Sequence, residues 1–81
     1  MPYINKERRG GLDNNNISPR IAGELNYMFT KTIIKYIKNN GESYQIYNEI
    51  IGALECCKLE IYRRLIAKYE EQKIKQNGDV F

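Results

Sequence analysis

The 81-residue chain contains no histidine and no tryptophan, and its only two cysteines are the neighbours Cys56 and Cys57. Without histidine a thiol lacks its usual activating base, and two thiols alone do not make a zinc site. Adjacent cysteines on a helix diverge by roughly 100°, so a disulfide between them would break the helix. We therefore expect no metal, no cofactor and no cross-link, and we interpret both cysteines as small apolar residues that fill space.

Long apolar segments and a strong charge are also missing. No run approaches the 18 or more apolar residues of a membrane span, and the N-terminus lacks the apolar core of a signal peptide. The 13 basic and 10 acidic residues leave a net charge of +3, which is too small for the dense basic face of a nucleic-acid binder. These absences, with unpaired cysteines, favour a soluble cytoplasmic protein and disfavour membranes and nucleic acid as partners.

Catalytic patterns are absent as well. The sequence has no glycine-rich phosphate loop, no paired-carboxylate signature and no catalytic triad. A general base would have to be a carboxylate, a lysine or a tyrosine, and none of these occurs in a recognisable catalytic pattern. The sequence therefore predicts a protein that is not an enzyme.

Turn and cap residues divide the chain into two helices within one small all-α domain over residues 1–81. Ser18 followed by Pro19 predicts the start of helix one, and the glycine at position 41 ends it after residue 38. Ser43 opens a long helix two, which Gly78 ends. The prediction is an irregular arm over 1–17, helix one over 18–38, helix two over 43–77 and a tail over 78–81.

Within the arm, Asn5 is a suitable cap for one helical turn, which Gly10 and Gly11 are expected to stop. Helix two carries two apolar stripes, one through Ile50 and Leu54 and a second, displaced around the helix, through Leu59 and its neighbours. Helix one is too short to cover both stripes, and a core of this size needs additional stabilisation. We therefore predict a helical hairpin that assembles into a symmetric homo-oligomer, a tetramer before a hexamer.

Charged and aromatic residues cluster in the stretch GALECCKLEIYRR, residues 52–64. Glu60 is spaced to pair with Arg64 at i,i+4 and with Arg63 at i,i+3, and such exposed pairs usually belong to a solvated helix face. In the alternative interpretation one arginine holds Glu60 and the other binds an anion or a partner chain. The seven tyrosines of the chain suit packing between chains or stacking on a nucleobase, and Arg8 in the arm adds a further cation.

Several segments together resemble a widespread family of small phage and prophage proteins. They are MPYI, GELNY (residues 23–27), SYQ (43–45), GALEC-KLE-YRR (52–64) and the ending NGDVF. The pattern covers most of the chain from Gly23 onward. Residues 67–71, AKYEE, depart from the APYED of relatives. The asparagine-rich residues 13–16 replace what is a longer helical segment in relatives, which leaves any ligand contact of that segment in doubt.

Proteins of this kind are similar in design to the phage "sponges" that defeat CBASS and Thoeris defence. The resemblance implies a homo-oligomer that sequesters a cyclic dinucleotide or cyclic ADP-ribose-type signal without cleaving it, in the cytoplasm of an infected bacterial cell. Carried onto this sequence, it implies ligand contacts from Tyr3, Asn26, Tyr27, Tyr44, Arg63 and Arg64, to which the residues themselves add Arg8. The alternative is a homo-oligomeric helical interaction protein that binds no small molecule.

Overall fold

A computed structural model describes residues 4–14 and 16–81 of the chain. It divides into two compact units, Met1–Ile46 and Tyr47–Phe81, which are described separately. The helical elements are α1 (Lys6–Asp13), α2 (Ala22–Asn40), α3 (Tyr44–Ile61), a π-helical segment (Tyr62–Ile66) and α4 (Ala67–Asn77). None of the described residues lies in a strand, so the predicted all-α class is confirmed for them. The single domain and the hairpin packing stay predictions.

Helix α1 occupies part of the segment for which the sequence predicted an irregular arm, and that prediction is wrong over Lys6–Asp13. Asn5 caps the helix as expected, since its side chain accepts a hydrogen bond of 2.9 Å from the backbone N–H of Arg8. The glycine pair does not stop the helix, which continues through Gly10 and Gly11 to Asp13. A Cβ atom on Gly11 would lie 2.8 Å from the side chain of Ile17, which packs there instead.

Helix α2 begins four residues later than Ser18, so the predicted start is also wrong. Ile21 occupies the N-cap position and makes no side-chain capping bond. The carboxylate of Glu24, in the first turn, instead accepts a hydrogen bond of 2.9 Å from the backbone N–H of Arg20. This arrangement resembles half of a capping box, in which an acid of the first turn satisfies a donor before the helix. At the other end, Gly41 terminates the helix at φ +86°.

The long second helix is confirmed by the unbroken helical residues of α3, the π-helical segment and α4, from Tyr44 to Asn77. Ser43 caps its start, because its Oγ accepts a hydrogen bond of 3.1 Å from the N–H of Ile46. Gly78 follows its last turn at φ +86°, a conformation that residues with a side chain rarely adopt. Within the run, the N–H of Ala67 binds the carbonyl of Tyr62, which is the longer bond of a π-turn.

The two units differ in what they bury. The side chain of Leu12 is fully buried in the first unit, and Ile50 is the buried apolar residue of the second. The predicted core stripe of helix two is otherwise exposed at Leu54 and Ile61, and both cysteines are exposed and free, so their interpretation as buried fillers is wrong for the single chain. Among the described residues, no helix combines the length and the apolar character that crossing a membrane requires.

Candidate functional site: cationic surfaces on the two units

An ion pair joins α1 to the start of α2 in the first unit. The Nε of Arg8 donates to Oε2 of Glu24 at 2.6 Å, and its Nη2 binds the other carboxylate oxygen. The same Nη2 lies 3.4 Å from the carbonyl oxygen of Ser18. This side-on, two-point contact is the geometry in which arginine holds a carboxylate most firmly.

The contact between Arg8 and Glu24 shifts the pKa values of both side chains. The hydrogen bond from Arg8, followed by the backbone N–H of Arg20, lowers the pKa of Glu24 from its ordinary value of 4.5 to about 2. The same hydrogen bond raises the pKa of Arg8. Arg8 therefore has a strong partner inside its own chain, and its predicted role in holding a ligand stays a prediction. Sequence reasoning missed Glu24, which lies 16 residues from its partner.

A second polar contact joins the same two helices. The hydroxyl of Tyr27 on α2 lies 2.9 Å from both carboxylate oxygens of Asp13, at the end of α1, and donates its proton to them. Burial first, and then the hydrogen bond and charge of Asp13, raise the pKa of Tyr27, while the nearby charge of Arg9 opposes them. The Nζ of Lys31 lies 6.0 Å from the centre of the tyrosine ring. Tyr27 thus joins an acid and two cations in one region of the unit.

An open groove of about 530 Å³ lies beside this contact. We call it the lysine groove; the residues that define it are Leu12, Asp13, Met28, Lys31, Lys35 and Lys38. Its three lysines follow one another at i, i+4 and i+7 on α2, so they share one face of that helix. Three lysines against one aspartate make the groove cationic. The spacing of the lysines can be read from the sequence. The groove cannot, because it also requires residues of α1, a helix that the sequence did not predict.

The remaining predicted residues of the first unit are Tyr3, Asn26 and Tyr44. Tyr3 is one of the residues that the structure does not describe. Asn26 is half-buried, and its backbone carbonyl accepts a hydrogen bond of 2.9 Å from the hydroxyl of Thr30. Tyr44, the first residue of α3, is 82% exposed. None of the three is shown beside a ligand site.

The second unit holds the two predicted arginines. Arg63 Nη2 lies 2.7 Å from one oxygen of Glu60, and Arg64 Nε lies 2.6 Å from the other. Both pairings that the spacing allows are present, because positions i+3 and i+4 flank position i on a helix and a carboxylate has two oxygens. The alternative, in which one arginine turns to an anion or a partner chain, stays a prediction. The arginine side chains remain 72% and 69% exposed, so each keeps donors directed at solvent.

Exposed apolar side chains surround this arginine pair. Tyr62, on the same π-helical segment, is half exposed, and its hydroxyl lies 3.4 Å from Oε1 of Glu70. The large apolar side chains that are exposed on the helices of the second unit are Tyr47, Ile51, Leu54, Leu59, Ile61, Tyr62, Leu65, Ile66, Tyr69 and Ile74. We call this set the apolar face of the second unit. Apolar exposure on this scale is typical of a surface that meets a partner.

No group of three or more potential metal ligands occurs among residues 4–14 and 16–81. The chain belongs to the family described as "Domain of unknown function (DUF6899)", whose model matches residues 1–80. No curated protein and no solved structure matches the chain. The family description names no ligand, activity or assembly, and nothing in it links the chain to the phage sponge proteins that its segments resemble.

Proposed function

We propose that this protein binds a cyclic nucleotide defence signal, a cyclic dinucleotide or a cyclic ADP-ribose-type molecule, and sequesters it without cleaving it. The observation that carries the proposal is the exposed pair Arg63 and Arg64, which share the single carboxylate of Glu60. The pair keeps one net positive charge and several unused donors, and arginine binds phosphate oxygens with such donors in a forked geometry. A π-helical segment, which proteins often place at functional sites, carries both arginines.

Assembly belongs to the same proposal. A binding pocket for a small molecule is concave and largely apolar, with a few polar groups, and the apolar face provides such surroundings where two copies meet. A two-fold axis presents each residue twice, so one set of residues meets both halves of a nearly symmetric cyclic dinucleotide. The proposed assembly is a symmetric homo-oligomer of helical hairpins, a tetramer before a hexamer, in the cytoplasm of an infected bacterial cell.

The other ligand residues implied by the resemblance have roles that this proposal can assign. Tyr44 is exposed enough to stack on a base, and such stacking contributes roughly 1–3 kcal/mol per base. Tyr27 is half-buried, and its hydroxyl is already bound to Asp13, so only its ring is offered to a ligand. Tyr3, Asn26 and Arg8 complete the proposed set.

A second candidate function is a homo-oligomeric helical interaction protein that has no small ligand. The apolar face favours it, because those side chains need cover whether or not a nucleotide binds. The two candidates share the assembly and differ in what the arginine pair does. Under the second candidate, the pair with Glu60 is an exposed ion pair worth a few tenths of a kcal/mol to the helix.

A thermal-shift screen against cyclic di- and trinucleotides and cyclic ADP-ribose isomers tests the proposal. A ligand at 100 times its dissociation constant adds about 2.7 kcal/mol to the free energy of unfolding, which moves the melting temperature of so small a protein by many degrees. Calorimetry then compares Arg63→Ala and Arg64→Ala with Lys68→Ala, a control that removes an equal charge from α4. We expect each arginine variant to lose about two orders of magnitude in affinity, because a symmetric complex loses two charged contacts of roughly 1.5–3 kcal/mol.

The oligomer size of the arginine variants should equal that of the wild type. Recovery of the intact ligand after denaturation supports sequestration, whereas recovery of cleavage products would make the protein an enzyme. A stable oligomer that none of these ligands stabilises would favour the second candidate. Unchanged affinity in both arginine variants would show that the arginine pair does not bind the ligand.

A further inference from the structure

The charges of the lysine groove lack acidic partners. Lys35 and Lys38 make no ion pair with any carboxylate among the described residues, and Lys31 contacts the ring of Tyr27. At about 1.5 Å of rise per residue, the three ammonium groups are distributed along roughly 10 Å of α2. Lysines of a merely solvated helix face usually alternate with acids, and this face presents three cations in succession.

The one acid of the groove is already occupied. Both carboxylate oxygens of Asp13 accept from the hydroxyl of Tyr27 at 2.9 Å, so that hydroxyl competes with the lysines for the acid. Arg9 lies close enough to lower the pKa of Tyr27, and its Nε is buried without a hydrogen-bond partner in the described chain. Arg9 and Lys31 therefore both place positive charge near the Asp13–Tyr27 contact.

The floor of the groove is apolar. Leu12 is fully buried there, and Met28 and Ile34 add apolar atoms along α2. An apolar floor beside a row of ammonium groups fits a molecule that has one flat apolar part and a separate anionic part. The volume of the groove, about 530 Å³, is within the usual range for small-molecule sites.

We infer that the lysine groove is a phosphate-binding site for a nucleotide, separate from the arginine pair and complete within one chain. Lys31, Lys35 and Lys38 bind the phosphate oxygens, and the base or sugar lies against Met28 and Ile34. Tyr27 serves as a positioning residue, because its hydroxyl holds Asp13 away from the lysines. This site needs neither a second copy nor the arginine pair, and it shares only Tyr27 with the proposed function.

The test uses the full chain and two probes, cyclic di-AMP and inorganic pyrophosphate, in calorimetry at low ionic strength. Lys35→Gln combined with Lys38→Gln should lower the affinity for both probes by about tenfold or more, since two exposed charge contacts count for a few-fold each. Lys68→Gln combined with Lys75→Gln removes the same charge from α4 and should leave affinity within about twofold. Amide shifts in an NMR titration should fall on residues 28–39.

The Tyr27→Phe variant tests the positioning role of the Tyr27 hydroxyl separately from the charges of the lysines. With its hydroxyl gone, Asp13 is free to pair with Lys31, so affinity should fall although no cation is removed. Equal loss in both lysine double variants would overturn the inference, because only net charge would then matter. So would unchanged affinity in the groove variant, shifts confined to residues 60–66, or no binding of either probe by the wild type. Binding of cyclic di-AMP that depends on Arg63 and not on Lys35 would reject the groove and leave the proposed function intact.

Discussion

The polar side chains of the two units form contacts of different range. In the first unit, Arg8 binds Glu24 sixteen residues away, and Tyr27 binds Asp13 fourteen residues away. In the second unit, the ion pairs of Glu60 with its arginines join residues three or four apart. Long-range pairs hold one helix against another, whereas local pairs stabilise only the helix on which they lie. Polar contacts of the first unit therefore join two of its helices, whereas the polar contacts of the second stay within one helical run that also carries the exposed apolar face.

The largest effect is expected when charged residues are introduced into the apolar face of the second unit. Leu59→Glu combined with Leu65→Glu should raise the dissociation constant of self-association by two orders of magnitude or more, because each buried leucine contributes roughly 1.5–3 kcal/mol. Sedimentation velocity over a concentration series measures the change. Gln72→Glu combined with Gln76→Glu adds the same charge at exposed polar positions and should have little effect. A wild type that remains a folded monomer at micromolar concentration would contradict the comparison.

An intermediate effect is expected at the ion pair between α1 and α2. Glu24→Gln should lower the thermal midpoint at pH 7 by several degrees, because Arg8 is left largely buried without its counter-charge. Since folding lowers the pKa of Glu24 to about 2, its contribution to stability is present above pH 4.5 and is lost as the pH falls through about 2.

Thermal unfolding followed by circular dichroism from pH 7 to pH 2 checks both parts of this prediction. Glu24→Gln should lose less stability than the wild type across that range. Glu60→Gln is the matched control in the second unit, where the local pair is exposed and its loss should cost only a few tenths of a kcal/mol. Equal effects of the two substitutions would mean that the range of the contact does not matter.

The smallest effect is expected at two adjacent glycines of α1, where the same substitution should change the free energy of unfolding differently. Gly10→Ala should raise the free energy of unfolding by about 0.5–1 kcal/mol, because alanine favours a helix and its Cβ meets no atom within 4 Å. Gly11→Ala should cancel that gain or lower the stability, because its Cβ would lie 2.8 Å from the side chain of Ile17. Urea unfolding of both variants gives the comparison. Equal gains at the two positions would show that Ile17 moves away without cost.

Local signals in the sequence predicted the long helix from Tyr44 to Asn77 well and the elements before it poorly. Ser43 and Gly78 mark the ends of the long helix because capping and left-handed termination are decided by one residue each. The α1 helix was missed because a glycine pair normally ends a helix, and what keeps Gly11 inside this one is Ile17, six residues away. The late start of α2 depends on a carboxylate, Glu24, whose orientation is set by Arg8.

The candidate sites also differ in whether they could be predicted, depending on whether their contacts are local or join distant residues. The pairing of Glu60 with both arginines could be expected from spacing alone, because they lie at i+3 and i+4 from it. The lysine groove could not be predicted, because its cationic row belongs to α2 and its buried floor includes Leu12 of a helix that the sequence did not indicate. Contacts between residues 14 or 16 positions apart depend on tertiary structure, and helical periodicity contains no information about them.

The π-helical segment Tyr62–Ile66 changes the angular phase of the helix that contains it. An α-helix turns by about 100° per residue, and a π-turn absorbs one residue more than an α-turn. Side chains of α4 are therefore rotated by roughly 100° from the directions they would take in an uninterrupted helix. A straight helical partner therefore meets other side chains of α4 than an uninterrupted helix would present to it. A second copy of the chain carries the same phase change, so two copies crossing at this segment can remain matched on both sides of it.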